Sequence, residues 1–429
     1  MTTTSTALLT DRYELTMLQA ALANGTAHRA SVFELFSRRL NGGRRYGVVA
    51  GTGRLLAALE QFRFDDQALA WLAEANVVNA QTIDWLADYR FSGSIWGYRE
   101  GEPYFPQSPV LVVESSFAEG VLLETLFLSI LNHDSAIASA SARMISAARG
   151  RPCIEMGSRR THDAAAVAAA RAAVLTGFAA TSNLEAGRTY GVPTTGTSAH
   201  AFTLLHDTER DAFVAQVESL GVGTTLLVDT YDVTEAIKVA VEVGGPELGA
   251  IRLDSGDLVS LAHSVRKQLD DLGNTATRIT VTSDLDEHAI AALAAAPVDG
   301  YGVGTSLVTG SGVPTSGFVY KLVARANDAG EMIAVAKKSS DKISVGGRKF
   351  ALRRRTNGRA VAEVIGIGTA PHNDGDDRDL LVELVRDGDV VHRPTNEDIQ
   401  AHHAMAMAEL PPAASMLSPG GPVLDTKVS

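Results

Sequence analysis

Beyond Gly150 the chain settles into a regular rhythm, in which short apolar runs alternate with stretches of helical period. The runs fall at residues 153–156, 177–180, 225–228, 250–253, 279–281 and 300–303. Between them, helical spacing covers 163–175, 207–220, 233–243, 258–272 and 287–295. Apolar runs this short, bounded by turn residues, read as buried strands rather than helices. Strands that alternate with helices predict parallel pairing through crossovers, most simply an α/β barrel. The alanine-rich run 164–173 fits the same scheme, since small side chains let a helix pack closely.

The pattern before Gly150 is different. Thr10-Asp11 caps an amphipathic helix running to about Leu22, and alternation predicts strands at 30–36 and 46–50 around the polar tract Asn41-Gly42-Gly43-Arg44-Arg45. Residues 52–89 are helical with breaks, 91–105 and 110–113 read as antiparallel strands, and 119–148 reads as one long helix. After Lys321 only short β-like pieces remain, at 332–336, 350–353 and 361–365, and 371–378 is a polar loop. The expected organisation is an N-terminal α/β segment (1–148), a barrel (149–322), and a C-terminal segment (323–429) that packs on the N-terminal one. The last twenty or so residues, rich in Pro and Gly, are expected to be a flexible tail, and His402-His403 is expected at the surface.

Composition narrows the function classes. The 429 residues are 45% hydrophobic and 21% charged, which describes a globular chain with ample core. A formal net charge of −12 and the lack of a basic stripe argue against nucleic-acid binding. One cysteine, Cys153, excludes a disulfide framework and fits a reducing compartment. It reads as a small buried strand residue rather than a reactive thiol. The N-terminus has no basic start or long apolar core, and no apolar run is long enough to span a bilayer, so a cytoplasmic protein without membrane contact is expected.

Candidate chemistry gathers at the ends of the predicted barrel strands, where such folds keep their active sites. His200 follows the turn Gly196-Thr197-Ser198-Ala199, and an imidazole there can serve as nucleophile, base or ligand. In Arg252-Leu253-Asp254-Ser255-Gly256-Asp257, strand alternation puts Arg252 and Asp254 on one face. That pair can bind an anion and a sugar hydroxyl or Mg²⁺, or form a structural ion pair beside an N-cap. Asp229 ends another strand and can orient a histidine, whereas Asp232 reads as a helix cap. Arg159-Arg160 can grip phosphate or carboxylate oxygens. The turn Tyr301-Gly302-Val303-Gly304-Thr305, preceded by Thr282-Ser283, suits a phosphate cradle of backbone N–H groups. No histidine or cysteine spacing matches a metal site of the protein's own.

Taken together, these pieces resemble the nicotinate phosphoribosyltransferases. The resemblance is carried by Leu8-Leu9-Thr10-Asp11-Arg12-Tyr13-Glu14-Leu15-Thr16-Met17, Phe33-Glu34-Leu35-Phe36, Glu155-Met156-Gly157-Ser158-Arg159-Arg160 and Thr181-Ser182-Asn183-Leu184-Glu185-Ala186-Gly187. It continues through Gly196-Thr197-Ser198-Ala199-His200, Arg252-Leu253-Asp254-Ser255-Gly256-Asp257 and Gly302-Val303-Gly304-Thr305. It implies an irregular α/β barrel plus a second α/β domain formed by the N- and C-terminal segments, in a homodimer with shared active sites. The implied reaction joins nicotinate to phosphoribosyl pyrophosphate, coupled to ATP hydrolysis through a phosphohistidine, with Mg²⁺ carried by the substrates and no tightly bound organic cofactor.

Residue by residue, the resemblance implies that His200 is the phosphorylated histidine and Asp229 its orienting acid. Asp254 would touch the ribose hydroxyls, with Asp254 and Asp257 the carboxylates available to Mg²⁺. Tyr13 would stack on the pyridine from the neighbouring subunit, and Thr197 and Arg252 would lie at the nicotinate carboxylate and ring. Arg159 would meet the phosphoribosyl or pyrophosphate group, and Ser283, Gly304 and Thr305 the 5-phosphate end. Met156 stands where the family usually has a phenylalanine, and Val345-Gly346-Gly347-Arg348-Lys349 replaces its usual Pro-Gly turn. Asn183, a neutral amide where nicotinamide-using relatives carry an aspartate, favours the acid as substrate. The alternatives are transfer to nicotinamide or quinolinate, or a nucleotide-binding barrel without turnover.

Overall fold

The computed structural model describes residues 5–337 and 345–428. The first four residues of the leading segment inspected for targeting signals lie outside them. Two compact units are formed: Ala140–Gly312 makes one, and the segments on either side of it make the other. The boundaries fall inside the helix Glu124–Ala148 and before the strand Phe318–Ala326, rather than at 148 and 322.

In the flanking unit, strands from both ends of the chain interleave in a seven-stranded antiparallel sheet. Its order is Met332–Ala334, Phe318–Ala326, Ala30–Ser37, Leu111–Ser116, Ser94–Tyr98, Leu381–Arg386, Asp389–Val390. Alternation divides the strand Ala30–Ser37 between two apolar clusters. Phe33 and Leu35 join the main core with Leu111, Val113 and Tyr320, while Val32 packs with Val112, Val323 and Ala324. Burial on both faces explains why this strand is almost continuously buried. The long helix expected at 119–148 is divided into Phe117–Val121, whose start is fixed by a capping box between Ser116 and Glu119, and Glu124–Ala148.

Two expectations for the C-terminal segment fail. A helix, Asn396–Glu409, had no counterpart in the apolar pattern; it buries His403 and directs His402 Nε2 to Glu102 Oε2 at 2.8 Å, so neither histidine is a surface residue. The end of the chain is not a loose tail. The strand Asp425–Val428 pairs in parallel with Arg359–Ile367, completing a four-stranded sheet, and backbone pairing holds it although its side chains bury little.

The central unit carries six parallel strands in the order Ala180–Thr181, Cys153–Glu155, Gly300–Val303, Arg278–Val281, Ala250–Leu253, Thr225–Leu227. The first and last strands in sequence are neighbours, as winding around a barrel requires. Closure would need Ala180–Thr181 to pair with Thr225–Leu227, and among the described residues these two edges do not meet. The expected barrel is therefore a parallel half-barrel with a seam. The helix Asp163–Leu175 buries Ala166, Ala168, Ala169, Ala170, Ala172 and Ala173, a face that small side chains make possible. The strand expected at 177–180 begins later, because Gly177 takes φ +115 and closes the preceding helix by donating to Val174 O. Cys153 is fully buried, and burial pushes its thiol up to about 12.

Candidate active site

The seam decides where His200 goes. Thr181 N–H donates to Pro193 O, and Thr195 N–H donates to Thr181 O, so residues 193–195 lie along the open edge of the strand Ala180–Thr181. The loop then runs on to Ser198, whose carbonyl accepts from Arg252 Nη1 at 3.1 Å. It ends at the helix His200–Leu205, with His200 as its first residue. Edge pairing on one side and an arginine on the other fix a loop that would otherwise be free.

His200 is 40% exposed and meets three side chains from neighbouring strand ends. Its Nδ1 shares a 3.1 Å hydrogen bond with Thr230 Oγ1. Its Nε2 lies 4.0 Å from Asp229 Oδ1 and 3.9 Å from Asp254 Oδ2. Those separations are charge contacts rather than hydrogen bonds. Asp229 is only 3% exposed. Its Oδ2 accepts from Asp254 N–H at 2.9 Å and from the Ser255 hydroxyl at 2.8 Å, while its buried Oδ1 has no hydrogen-bond partner among the described residues. A buried acceptor left open costs free energy unless a donor or cation arrives. Asp254 is held in turn by the Thr282 hydroxyl, and Arg252 Nη2 lies 3.9 Å from its Oδ1. His200, Asp229, Asp254 and Arg252 thus form one constellation.

The inner wall continues from it. Alternation puts Ala250, Arg252 and Asp254 on one face, as it does Thr280 with Thr282 and Ile154 with Met156. A Cβ placed on Gly302 would come within 2.4 Å of Thr282 Cγ2 and 2.8 Å of Met156 Sδ, so this position must be glycine to leave room beside Met156. At the opposite, N-terminal ends of these strands, Thr197 lines a cavity of about 540 Å³ with Pro152, Thr225, Ala250, Arg278 and Gly300. Arg252, 12% exposed, follows Ala250 and precedes Asp254 on the same strand face, and its Nε is buried without a hydrogen-bond partner among the described residues.

The phosphate-binding candidates occupy adjacent loops. Gly157 opens the one-turn helix Ser158–Arg160, on which Arg159 is exposed. A Cβ at Gly157 would lie 2.2 Å from Val308 Cγ1 and 3.1 Å from Gly304 O, so the Arg159 turn and the Gly304-Thr305 turn touch because Gly157 lacks a side chain. Ser283, exposed, has φ +141, a strained conformation of the kind that collects at functional turns.

Three further candidates have their contacts outside this constellation. Asn183 caps the helix Leu184–Tyr190 by accepting from Ala186 N–H, and its amide donates to Ser158 Oγ at 3.0 Å. Its side chain is committed to the scaffold as well as facing this region. Asp257 caps the helix Leu258–Asp271, with both carboxylate oxygens bonded to Ser260, and those bonds hold its carboxyl below the usual range. Tyr13 belongs to the flanking unit, 45% exposed on the helix Arg12–Ala23, and burial of part of its ring raises its phenol. Among the described residues no group of three His, Cys, Asp or Glu side chains is placed to hold a metal. The hydroxyl partners Thr230 and Ser255, together with Glu155, carry no role in the sequence reading, and Thr282, expected at a phosphate cradle, instead bonds Asp254. Their one common signal is a polar residue at, or just beyond, the end of an apolar run.

Known proteins are similar to this chain in sequence and in fold. The family model for the nicotinate phosphoribosyltransferase N-terminal domain matches residues 8–132, and that for the nicotinate phosphoribosyltransferase family matches residues 152–366. The chain belongs to the nicotinate phosphoribosyltransferase family. Its activity is that of a nicotinate phosphoribosyltransferase, in NAD salvage. Nicotinate phosphoribosyltransferase pncB1 of Mycobacterium tuberculosis is 57% identical over 430 residues, covering 98% of this chain and 94% of its own. The Bacillus subtilis nicotinate phosphoribosyltransferase is 38% identical over 81% of this chain and 73% of its own. The human nicotinic acid phosphoribosyltransferase structure superposes with a TM-score of 0.83 over 98% of this chain and 97% of its own, at 24% identity. A Pyrococcus furiosus nicotinate-nucleotide pyrophosphorylase superposes at 0.77 over 94% and 95%, at 22% identity, so the fold is shared with a protein that bears a different name.

Proposed function

We propose that this family member makes nicotinate mononucleotide and pyrophosphate from nicotinate and phosphoribosyl pyrophosphate, and that ATP hydrolysis drives the cycle through phosphorylation of His200. The observation that carries the coupling is His200 itself: Nε2 faces two carboxylates, while Nδ1 meets the Thr230 hydroxyl. The carboxylates favour the tautomer with its proton on Nε2, which leaves the lone pair on Nδ1. Nδ1 attacks the γ-phosphorus of ATP, the bond to the β-phosphate oxygen breaks, and ADP leaves. The positive charge gained by the ring is offset by Asp229 and Asp254. Water later cleaves the N–P bond and releases phosphate.

Transfer itself needs no strong base, because the pyridine nitrogen is already nucleophilic. As its bond to ribose C1 forms, the bond to pyrophosphate breaks, and negative charge grows on the leaving group. Arg159 and Arg252 are the cations suited to that charge and to the nicotinate carboxylate. Mg²⁺ would arrive on the phosphates and neutralise them further. Asp254 is the carboxylate suited to meet it, since both oxygens of Asp257 are bonded within its own helix cap. Thr197 and Met156 line the pyridine pocket, and Ser283, Gly304 and Thr305 form the 5-phosphate end.

A homodimer would bring Tyr13 to a partner's pyridine site. This is supported by exposed Leu8, Leu9, Tyr13 and Met17, an apolar concentration of the kind that marks an interface. A single buried cysteine fits the cytoplasm. The test is turnover by purified protein with phosphoribosyl pyrophosphate and either nicotinate or nicotinamide, with and without ATP. Faster nicotinate turnover with ATP supports the reading. A preference for nicotinamide, or no effect of ATP, contradicts it.

A further inference from the structure

Beneath the Arg159 turn, hydrogen bonds close into a ring that the transfer chemistry does not use. Glu155, the last residue of the strand Cys153–Glu155, is fully buried. One carboxylate oxygen accepts from Gly157 N–H and the other from the Thr181 hydroxyl. Thr181 Oγ1 accepts from Asn183 N–H at 2.9 Å, and the Asn183 amide donates to Ser158 Oγ at 3.0 Å. Ser158 follows Gly157 in the chain, so the circuit returns to its start one residue before Arg159. Ser182 N–H adds a 2.8 Å bond to the Glu155 carbonyl.

A carboxylate is costly in that place. Its partners are a backbone amide and a hydroxyl, neither of them a cation, and burial raises its pKa despite both bonds. An apolar residue would complete the strand more cheaply. What the carboxylate adds is two acceptors on one rigid fork, which lock donors from two separate loops at a fixed separation. The turn it locks is also confined on its other side, where Gly157 abuts Val308 and Gly304.

We propose that Glu155 is a positioning residue that, through Gly157, Thr181 and Asn183, sets the Arg159 turn in register for the pyrophosphate-bearing substrate. This rests on the reading of Arg159 as a contact to phosphoribosyl pyrophosphate. Charge is not the operative property. Glutamine would keep the ring, its carbonyl accepting from Gly157 and its amide donating to Thr181 Oγ1, which has lone pairs for both Asn183 and the amide.

The test compares steady-state kinetics of E155L, E155Q, T181V and R159Q, together with the double variant T181V/R159Q, in the full-length protein. T181V and E155L are expected to raise KM for phosphoribosyl pyrophosphate about tenfold while KM for nicotinate stays within about twofold. E155Q is expected to restore the wild-type value that E155L loses. The double variant should match R159Q alone, because an arginine that is absent cannot be misplaced. If R159Q leaves that KM unchanged, the substrate contact itself is wrong. If R159Q raises it but T181V does not, or the two effects add in full, Glu155 does not act through Arg159 and the proposal falls. Should E155L fail to fold, T181V and its double variant decide between these outcomes on their own.

Discussion

Asp229 holds the Asp254 N–H with one carboxylate oxygen at 2.9 Å and leaves the other buried and unbonded among the described residues, 4.0 Å from His200 Nε2. One side chain thus fixes the neighbouring acid and directs an uncompensated negative charge at the imidazole. Asp229→Asn keeps an oxygen for the Asp254 amide and removes the charge. Because His200 is partly exposed, the interaction is well below its dry-interior limit, and a roughly ten- to hundredfold fall in ATP-coupled turnover is expected. The ATP-independent rate should change little, and parallel assays with and without ATP check this. An equal fall in both would mean that Asp229 serves the transfer step instead.

Gly302→Ala places a methyl group against Thr282 and Met156. The expected result is a KM for nicotinate raised about tenfold, with KM for phosphoribosyl pyrophosphate within about twofold, since only the pyridine end of the wall is narrowed. Adding Met156→Ala should recover part of the loss. If it recovers none, Met156 does not border the pyridine.

Asn183→Asp tests selectivity without disturbing the helix cap, because aspartate caps as well as asparagine. The charge it introduces should raise KM for nicotinate by about tenfold or more and leave that for nicotinamide nearly unchanged, with no fall in melting temperature. The Asn183 amide already donates to Ser158. A uniform loss with both pyridines would assign it to scaffolding alone.

In the flanking unit, Glu102 contributes to stability against acid. Burial pushes the Glu102 carboxyl up, but hydrogen bonds from His402 and Arg378 and the charges of Arg353 and Arg378 outweigh it, leaving the group at about 2 against an ordinary value of 4.5. A depressed folded value favours the native state above the unfolded pKa, and that contribution is lost as pH falls from about 4.5 toward 2. Glu102→Gln should cost about 1.5–3 kcal/mol at neutral pH, because Arg353 and Arg378 each lose one carboxylate while keeping Glu363 and Glu409. It should also flatten the stability profile between pH 4.5 and 2. Denaturant titrations across that window check both effects, and an unchanged acid slope would exclude Glu102 as its source.

The barrel strands were readable because each is a short apolar run between turns, and 250–253 and 300–303 coincide with the strands observed. Arg252 and Asp254 were readable for the same reason, since alternation alone aligns them. The seam was not, because pairing between Ala180–Thr181 and residues 193–195 depends on contacts distant from any periodic signal. Glu155 was hidden by its strand, where a carboxylate's hydrogen-bond partners come from another loop. The helix Asn396–Glu409 escaped because its buried face includes Ile399, His403 and Ala406 rather than a stripe of large apolar residues. The strand Asp425–Val428 follows a Pro- and Gly-rich stretch and is held by backbone pairing.

The central claim is that His200 carries phosphate from ATP while positioned charges make the bond to ribose. Incubating the protein with γ-labelled ATP, followed by acid- and alkali-stability tests and peptide mapping, examines it most directly. The predicted result is an acid-labile, alkali-stable label on the peptide containing His200, absent from His200→Asn, which still forms the nucleotide slowly without ATP. A label on another residue, or full ATP coupling in His200→Asn, would contradict it.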